Sequence, residues 1–185
     1  MQYISYYHSP LGKLLLAADQ TGITGAWFDD QKYYAHGLDA EHTEKDTPVL
    51  EDTKRWLDLY FFGKEPDFMP PLHPSGTPFQ REVWDILRQI PYGTTMTYGA
   101  IAKEIARRRG LARMSAQAAG GAVGHNPVSI LIPCHRVVGS DGRLTGYAGG
   151  SDRNIKLLAL EAEPCEAYFI PKKGPGLAPA LTILC

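Results

Sequence analysis

The chain is 185 residues long, 44% hydrophobic and 21% charged, with 19 Lys and Arg against 20 Asp and Glu and a formal net charge of −1. A domain of this size hides roughly 70% of its unfolded surface and needs no disulfide or metal staple to fold. No apolar run approaches the roughly 20 residues of a bilayer span, and no basic segment followed by an apolar one opens the chain; membrane, secreted, collagenous and disordered classes are excluded, and a cytoplasmic protein is expected.

In chain order, apolar and polar residues alternate over 3–7, 13–17 and 23–28, separated by the turn sequences Ser9-Pro10-Leu11-Gly12 and Asp19-Gln20-Thr21-Gly22. This predicts a three-stranded antiparallel meander. Residues 33–46 are polar and acidic and read as a loop or a frayed helix. Thr47-Pro48 then supplies a cap and first turn for a helix whose Leu50, Trp56, Leu57 and Tyr60 recur at about 3.6 residues. Residues 63–77, rich in proline, read as a linker. Thr77-Pro78 starts a second helix, with Val83, Trp84, Ile86 and Leu87 in its apolar stripe, and Pro91-Tyr92-Gly93 ends it.

Thr97 caps a third helix that stops at Gly110, and Ser115 caps a fourth built almost entirely of Ala and Gly. Two helices joined by a tight glycine-bearing turn predict a helix-turn-helix. Residues 128–132 read as a buried strand running into Pro133-Cys134-His135-Arg136, followed by the glycine-rich Gly146-Tyr147-Ala148-Gly149-Gly150 and a last helix over 152–162. The expected fold class is α/β. An antiparallel sheet with helices would occupy residues 1–75. A mainly helical domain carrying the helix-turn-helix and an active-site strand would occupy 76–163, with a tail over 164–185.

Charge is divided along the chain: residues 1–75 carry 6 Lys and Arg against 12 Asp and Glu, whereas residues 76–155 carry 10 against 5. The basic middle points to an anionic partner. Lys103, Arg107, Arg108, Arg109 and Arg113 lie close together at the turn between the third and fourth helices. They read either as cations suited to a helix C-terminus or as phosphate contacts. The small-residue helix likewise reads as close core packing or as close approach to a nucleic-acid groove.

Cys134, Cys165 and Cys185 are the only cysteines. They form no CxxC pair, no disulfide framework and no tight Cys/His cluster, so no metal site is expected. Cys134 beside His135 is the sharpest feature. An unperturbed thiol is mostly protonated at neutral pH and needs a nearby base to act as a nucleophile. A carboxylate to orient the imidazole would strengthen the pair, and Glu161 is the candidate. Read alone, Cys134 is equally a buried bystander, Tyr98 a core aromatic, Asn126 a turn former and Glu161 a solvated helix residue.

The run Gly124-His125-Asn126-Pro127-Val128-Ser129-Ile130-Leu131-Ile132-Pro133-Cys134-His135-Arg136-Val137-Val138 resembles the active-site signature of the O6-alkylguanine-DNA alkyltransferases, also called methylated-DNA–protein-cysteine methyltransferases. The likeness extends from about residue 77 to 161 and includes the small-residue helix and the Tyr147–Gly150 loop; the N-terminal meander resembles the family's first domain. It implies stoichiometric, cofactor-free repair of double-stranded DNA carrying O6-alkylguanine, with O4-alkylthymine a second candidate lesion. The protein would act as a monomer that binds through the minor groove and flips the damaged base into a pocket.

On this resemblance Cys134 attacks the alkyl carbon, while Glu161, His135 and a water draw off its proton. Tyr98 donates to the departing guanine and Asn126 braces the turn before the active-site segment. The Val137 backbone, Tyr147, Ala148 and Gly149 hold the base, with Val123 and Ser129 near the pocket floor. Ser115, Ala116, Gln117, Ala118, Gly120 and Gly121, with Arg113 and Arg136, meet the DNA. Gln117 stands where the family commonly places an arginine that fills the gap left by the flipped base. A cysteine hydrolase would use the same Cys-His pair but leaves the small-residue helix unexplained. A non-catalytic lesion binder would lack the cysteine.

Overall fold

A computed structural model describes residues 1–144 and 146–162, together with the backbone of the short strands at 166–170 and 180–184. The elements run β1 (Gln2–Ser9), β2 (Gly12–Ala18), β3 (Ile23–Phe28), β4 (His42–Glu44), α1 (Pro48–Phe61), α2 (Pro78–Arg88), β5 (Met96–Thr97), α3 (Tyr98–Arg109) and α4 (Ala116–Gly124). A 3-10 turn (Cys134–Arg136), β6 (Val137–Val138), α5 (Ser151–Glu161), β7 (Glu166–Ile170) and β8 (Ala180–Leu184) complete them. The mixed α/β class is as expected. Cys165 and Cys185 lie outside the described residues, whereas β7 and β8 pair antiparallel within the stretch read as a tail.

The meander forms as predicted, but the sheet has a fourth strand, in the order β3-β2-β1-β4. β4 pairs parallel with β1 through Tyr3 and Thr43, inside the stretch read as a loop or frayed helix. Three exposed residues, His-Thr-Glu, carry no apolar alternation to announce a strand; the open edge of β1 supplies the template. Both faces of the sheet are covered. Leu14, Leu16, Ala18, Ala26 and Phe28 join the main core, while Leu15, Ala17 and Trp27 pack with Ile4 on the other side. Trp27 folds its ring back over Gly25, where a Cβ would stand 1.8 Å from the indole.

The proline-rich stretch is docked rather than free. Ile23 donates its N–H to Pro71 O at 2.8 Å, and His73 donates to Ile23 O at 2.7 Å, closing part of the open edge of β3. The next part of that edge is closed by the segment before the 3-10 turn: Ala26 N–H reaches Pro127 O at 2.9 Å and Ser129 N–H reaches Ala26 O at 3.0 Å. One apolar core therefore runs from Leu14 through Trp84 to Leu157.

The helix boundaries follow their local signals. Thr77 and Gln80 form a reciprocal capping box, and the Thr97 and Ser115 side chains accept from Ala100 and Ala118 N–H. Gly110 ends α3 in the left-handed region at φ 64°. Thr47 is the exception, since its hydroxyl is buried without a capping bond. α2 is tied to α4 by the Trp84 indole N–H, which donates to Ala122 O at 2.8 Å.

The buried strand expected at 128–132 is instead a compact turn. Val128 alone bridges to Ala26, after which Ile130 takes φ 72° and Ile132 N–H returns to Val128 O at 3.0 Å. An isoleucine in the left-handed region costs about 1–3 kcal/mol and persists only where its surroundings over-determine it. Here the Asn126 amide does so, accepting from Val128 N–H at 3.0 Å and donating to Ile132 O at 2.8 Å.

Candidate active site

Cys134 opens the 3-10 turn and His135 follows it, so the pair sits in a tight turn and not on an extended strand. Cys134 is 4% exposed. Its Sγ accepts from Asn126 Nδ2 at 3.1 Å, which makes the turn-bracing amide also a donor to the sulfur. Burial pushes the thiol up to about 11, against the opposing pull of Asn126 and the backbone N–H groups of Cys134 and His135. The resting group is thus a protonated, sequestered thiol that needs a base at the moment of reaction.

His135 and Glu161 form a buried pair in the same region. His135 is fully buried, and its Nε2 lies 2.6 Å from Glu161 Oε1. Burial alone would raise the Glu161 carboxyl, but His135 and then Arg136 outweigh it and hold the group well below the usual carboxylate range. An ionised carboxylate only accepts, so His135 Nε2 carries a hydrogen toward it. Nδ1 is buried without a hydrogen-bond partner among the described residues. Arg136 completes the carboxylate's setting, donating through Nε to Oε2 at 2.8 Å and through Nη2 to Oε1 at 3.0 Å.

That geometry corrects one expectation: Arg136, read as a DNA contact, is turned into the interior. It is 8% exposed, and its third contact is Nη1 to Ile90 O at 2.7 Å. The side chain is consumed in neutralising Glu161. The arginines of α3 are also spoken for. Arg107 and Arg108 bond Glu104, Arg108 reaches Asp85, and Arg109 bonds Glu82. They staple α3 to itself and to α2. Arg113, past Gly110, is exposed in the turn.

The remaining predicted residues fall into two groups. Tyr147 is buried edge-on to His135, with ring centroids 6.4 Å apart, and its phenol is raised by burial and then by the nearby Cys134. The loop folds tightly round that ring: a Cβ on Gly149 would stand 2.7 Å from it, and Gly150 N–H donates to Tyr147 O. Tyr98, at the start of α3, sets its hydroxyl against Gly146, where a Cβ would be 3.0 Å away. Ala148 accepts from Lys32 N–H, Val137 pairs with Met96, and Val123 and Ser129 are buried, the latter donating to Gln31 Oε1 at 3.1 Å. By contrast Ser115, Ala116, Gln117, Ala118 and Gly121 lie exposed along one side of α4 and Gly120 is half-buried, while Ala119, Ala122 and Val123 pack inward.

Several participants were not anticipated. Tyr60 of α1 donates its hydroxyl to Glu161 Oε1 at 2.7 Å. Arg153 of α5 holds the glycine-rich loop, donating to Gly149 O at 3.0 Å and to Leu11 O at 2.8 Å while pairing with Asp30. The only sequence signal for Tyr60 was a polar-tipped ring in the apolar stripe of its helix. No group of three or more His, Cys, Asp or Glu among the described residues is placed to hold a metal ion.

Residues 2–74 match the ribonuclease-like domain of 6-O-methylguanine DNA methyltransferase, and residues 78–163 match its DNA-binding domain. A methylated-DNA–protein-cysteine methyltransferase of Haemophilus influenzae is 40% identical over 163 residues, 88% of this chain and 87% of that protein. One of Methanosarcina acetivorans is 40% identical over 86% of this chain and 97% of its own. The solved Mycobacterium tuberculosis OGT in complex with DNA superposes with a TM-score of 0.76 and 39% identity, covering 86% of this chain and 92% of its own.

Proposed function

Because this chain belongs to the 6-O-methylguanine DNA methyltransferase family, we propose that it repairs alkylated DNA by direct reversal, moving the alkyl group of O6-alkylguanine onto Cys134 and keeping it there. The observation that carries this reading is the buried Cys134 thiol beside an imidazole whose far nitrogen is held by an ionised carboxylate. The Sγ–carbon bond forms as the carbon–O6 bond breaks. The thiol proton passes through a water to His135 Nδ1, and Glu161 stabilises the imidazolium. Tyr98 supplies a proton to the guanine as charge develops on the departing base. A thioether offers no leaving route, so each chain acts once.

The exposed side of α4 fits this chemistry because Ala116, Ala118 and Gly121 let the helix backbone approach the minor groove closely, with Gln117 standing beside the flipped base. The glycine-rich loop, anchored by Tyr147 and Arg153, would close over that base, with Val137 O and the Ala148 N–H as its polar contacts. Residues 1–75 would serve as scaffold, and 76–163 would bind DNA and carry the reaction. The protein would act as a monomer, and a reducing compartment such as the cytoplasm would keep Cys134 as a thiol. The rival reading, a lesion binder without chemistry, leaves the Cys134–His135–Glu161 arrangement without a purpose.

The test is intact-mass analysis after incubation with duplex DNA carrying one O6-methylguanine. One added methyl per chain, mapped to Cys134 and without turnover, is expected, and Cys134→Ala should bind the same duplex unmodified. Binding by the native protein with no gain in mass would establish the lesion-binder reading instead.

A further inference from the structure

Resting on the function proposed above, we infer that Tyr60, a residue of the N-terminal part of the chain, is a positioning residue for alkyl transfer, acting through Glu161 to fix the hydrogen of His135. Tyr60 is fully buried, and its hydroxyl lies 2.7 Å from Glu161 Oε1, the same oxygen that His135 Nε2 meets at 2.6 Å. Its distance to His135 Nε2 itself is 3.4 Å, so the carboxylate is the nearer acceptor. Burial and then the Glu161 charge keep the phenol protonated, and hence a donor, throughout the working range.

Glu161 consequently receives Tyr60, His135 and Arg136 on Oε1, and Arg136 with the longer 3.4 Å contact of Gly93 N–H on Oε2. A carboxylate so surrounded cannot rotate away or take the imidazole proton. Tyr60 also draws density from Oε1 and so limits how tightly that oxygen grips the Nε2 hydrogen. The groups packed on the His135 ring are Tyr60 from α1, Glu161 from α5 and Tyr147 from the loop, with Cys134 and Arg136 beside it in its own turn, while Tyr92 from the turn after α2 meets Tyr60 and Arg136. Glu161 and Arg136 are the charged ones, with opposite sign, so the hydroxyl of Tyr60 can tip a nearly balanced field.

Tyr60→Phe removes one donor and leaves the ring contacts with Trp56 at 5.4 Å and Phe61 at 5.3 Å in place. Trp56→Phe serves as the packing control, because it loosens the same helix stripe without touching Glu161. Single-turnover methyl transfer from O6-methylguanine duplex is followed from acidic to alkaline pH, with the folded fraction fixed by melting curves. Tyr60→Phe is expected to slow transfer about tenfold near neutral pH, the scale of one hydrogen bond to a charged group. The acidic limb of its profile should move to higher pH while DNA affinity holds, and Trp56→Phe should keep the native profile.

Nitrogen NMR of the His135 ring in the native protein gives a check free of any variant. A protonated Nε2 with a bare Nδ1 is expected, and a protonated Nδ1 would overturn the assignment. If native protein transfers methyl but Tyr60→Phe matches it in rate and profile, the role of Tyr60 falls alone. If native protein transfers nothing, the proposed function itself falls.

Discussion

The interior cluster around Glu161 and the outer side of α4 are built on opposite principles. Around Glu161, donors from three separate stretches converge on one carboxylate: Tyr60 from α1, Gly93 from the turn after α2, and His135 with Arg136 from the 3-10 turn, while α5 carries the carboxylate itself. On α4 the surface proposed to meet DNA is made by leaving side chains out, and a Cβ placed on Gly121 would meet nothing within 4 Å. A site that moves a proton must fix dipoles in advance, in a place where water cannot screen them. A surface that enters a groove must offer clearance, and any added atom is paid for by the partner's binding rather than by the fold. The two regions should therefore answer mutation in opposite ways.

The largest effect is expected at Glu161. Glu161→Gln leaves Arg136 as a buried cation without its counter-charge, at a cost of about 3–5 kcal/mol in urea unfolding, and it should abolish measurable methyl transfer. The pH dependence follows from the direction of the shift. The folded carboxyl sits well below its unfolded value, so its contribution is complete above the unfolded value and is lost as pH falls through the folded one. Native stability should decline on acidification below about pH 5, and Glu161→Gln should flatten that decline. An unchanged acid slope in the variant would mean that other carboxylates carry it.

Gly121→Ala probes the other principle and should separate two quantities that usually move together. With no neighbour to strike and a helical backbone, the methyl group should stabilise the protein by about 0.5–1 kcal/mol in thermal unfolding. The same methyl should weaken binding to O6-methylguanine duplex, since it projects from the exposed side of α4. Tighter or equal binding in a titration would remove that side from the interface.

The smallest effect sharpens the comparison at the turn between α3 and α4. Arg113→Ala should lower the slope of log affinity against log salt by about one. Arg109→Ala, which frees Glu82 rather than a phosphate, should leave that slope alone. Equal slopes for both variants would show that exposure in the turn does not translate into a phosphate contact.

Much of this was legible from the chain before any coordinates. Thr77 with Gln80, Thr97, Gly110 and Ser115 set helix ends because a cap acts within one turn of itself. The apolar stripe of α2 follows from a period of about 3.6 residues. Pro-Cys-His-Arg-Val drew attention to the Cys134 thiol, and the run of small residues marked α4. The run 128–132 misled because five apolar residues in sequence read as a strand, whereas the Asn126 side chain supplies the hydrogen bonds a neighbouring strand would have given. β4 escaped notice because its pairing depends on an open edge elsewhere.

What the sequence determined by itself was therefore local: the element ends and the apolar faces, with Cys134 singled out as the candidate nucleophile. The tertiary structure decided which charged groups are neutralised and which are left for a partner. Tyr60 and Glu161 are 101 residues apart, and nothing in either neighbourhood names the other. Arg136 and Arg113 are equally basic on paper, yet one is buried against Glu161 and the other lies in solvent. A side chain's role in a site depends on its distance and its dielectric surroundings, and both are set by how distant segments pack.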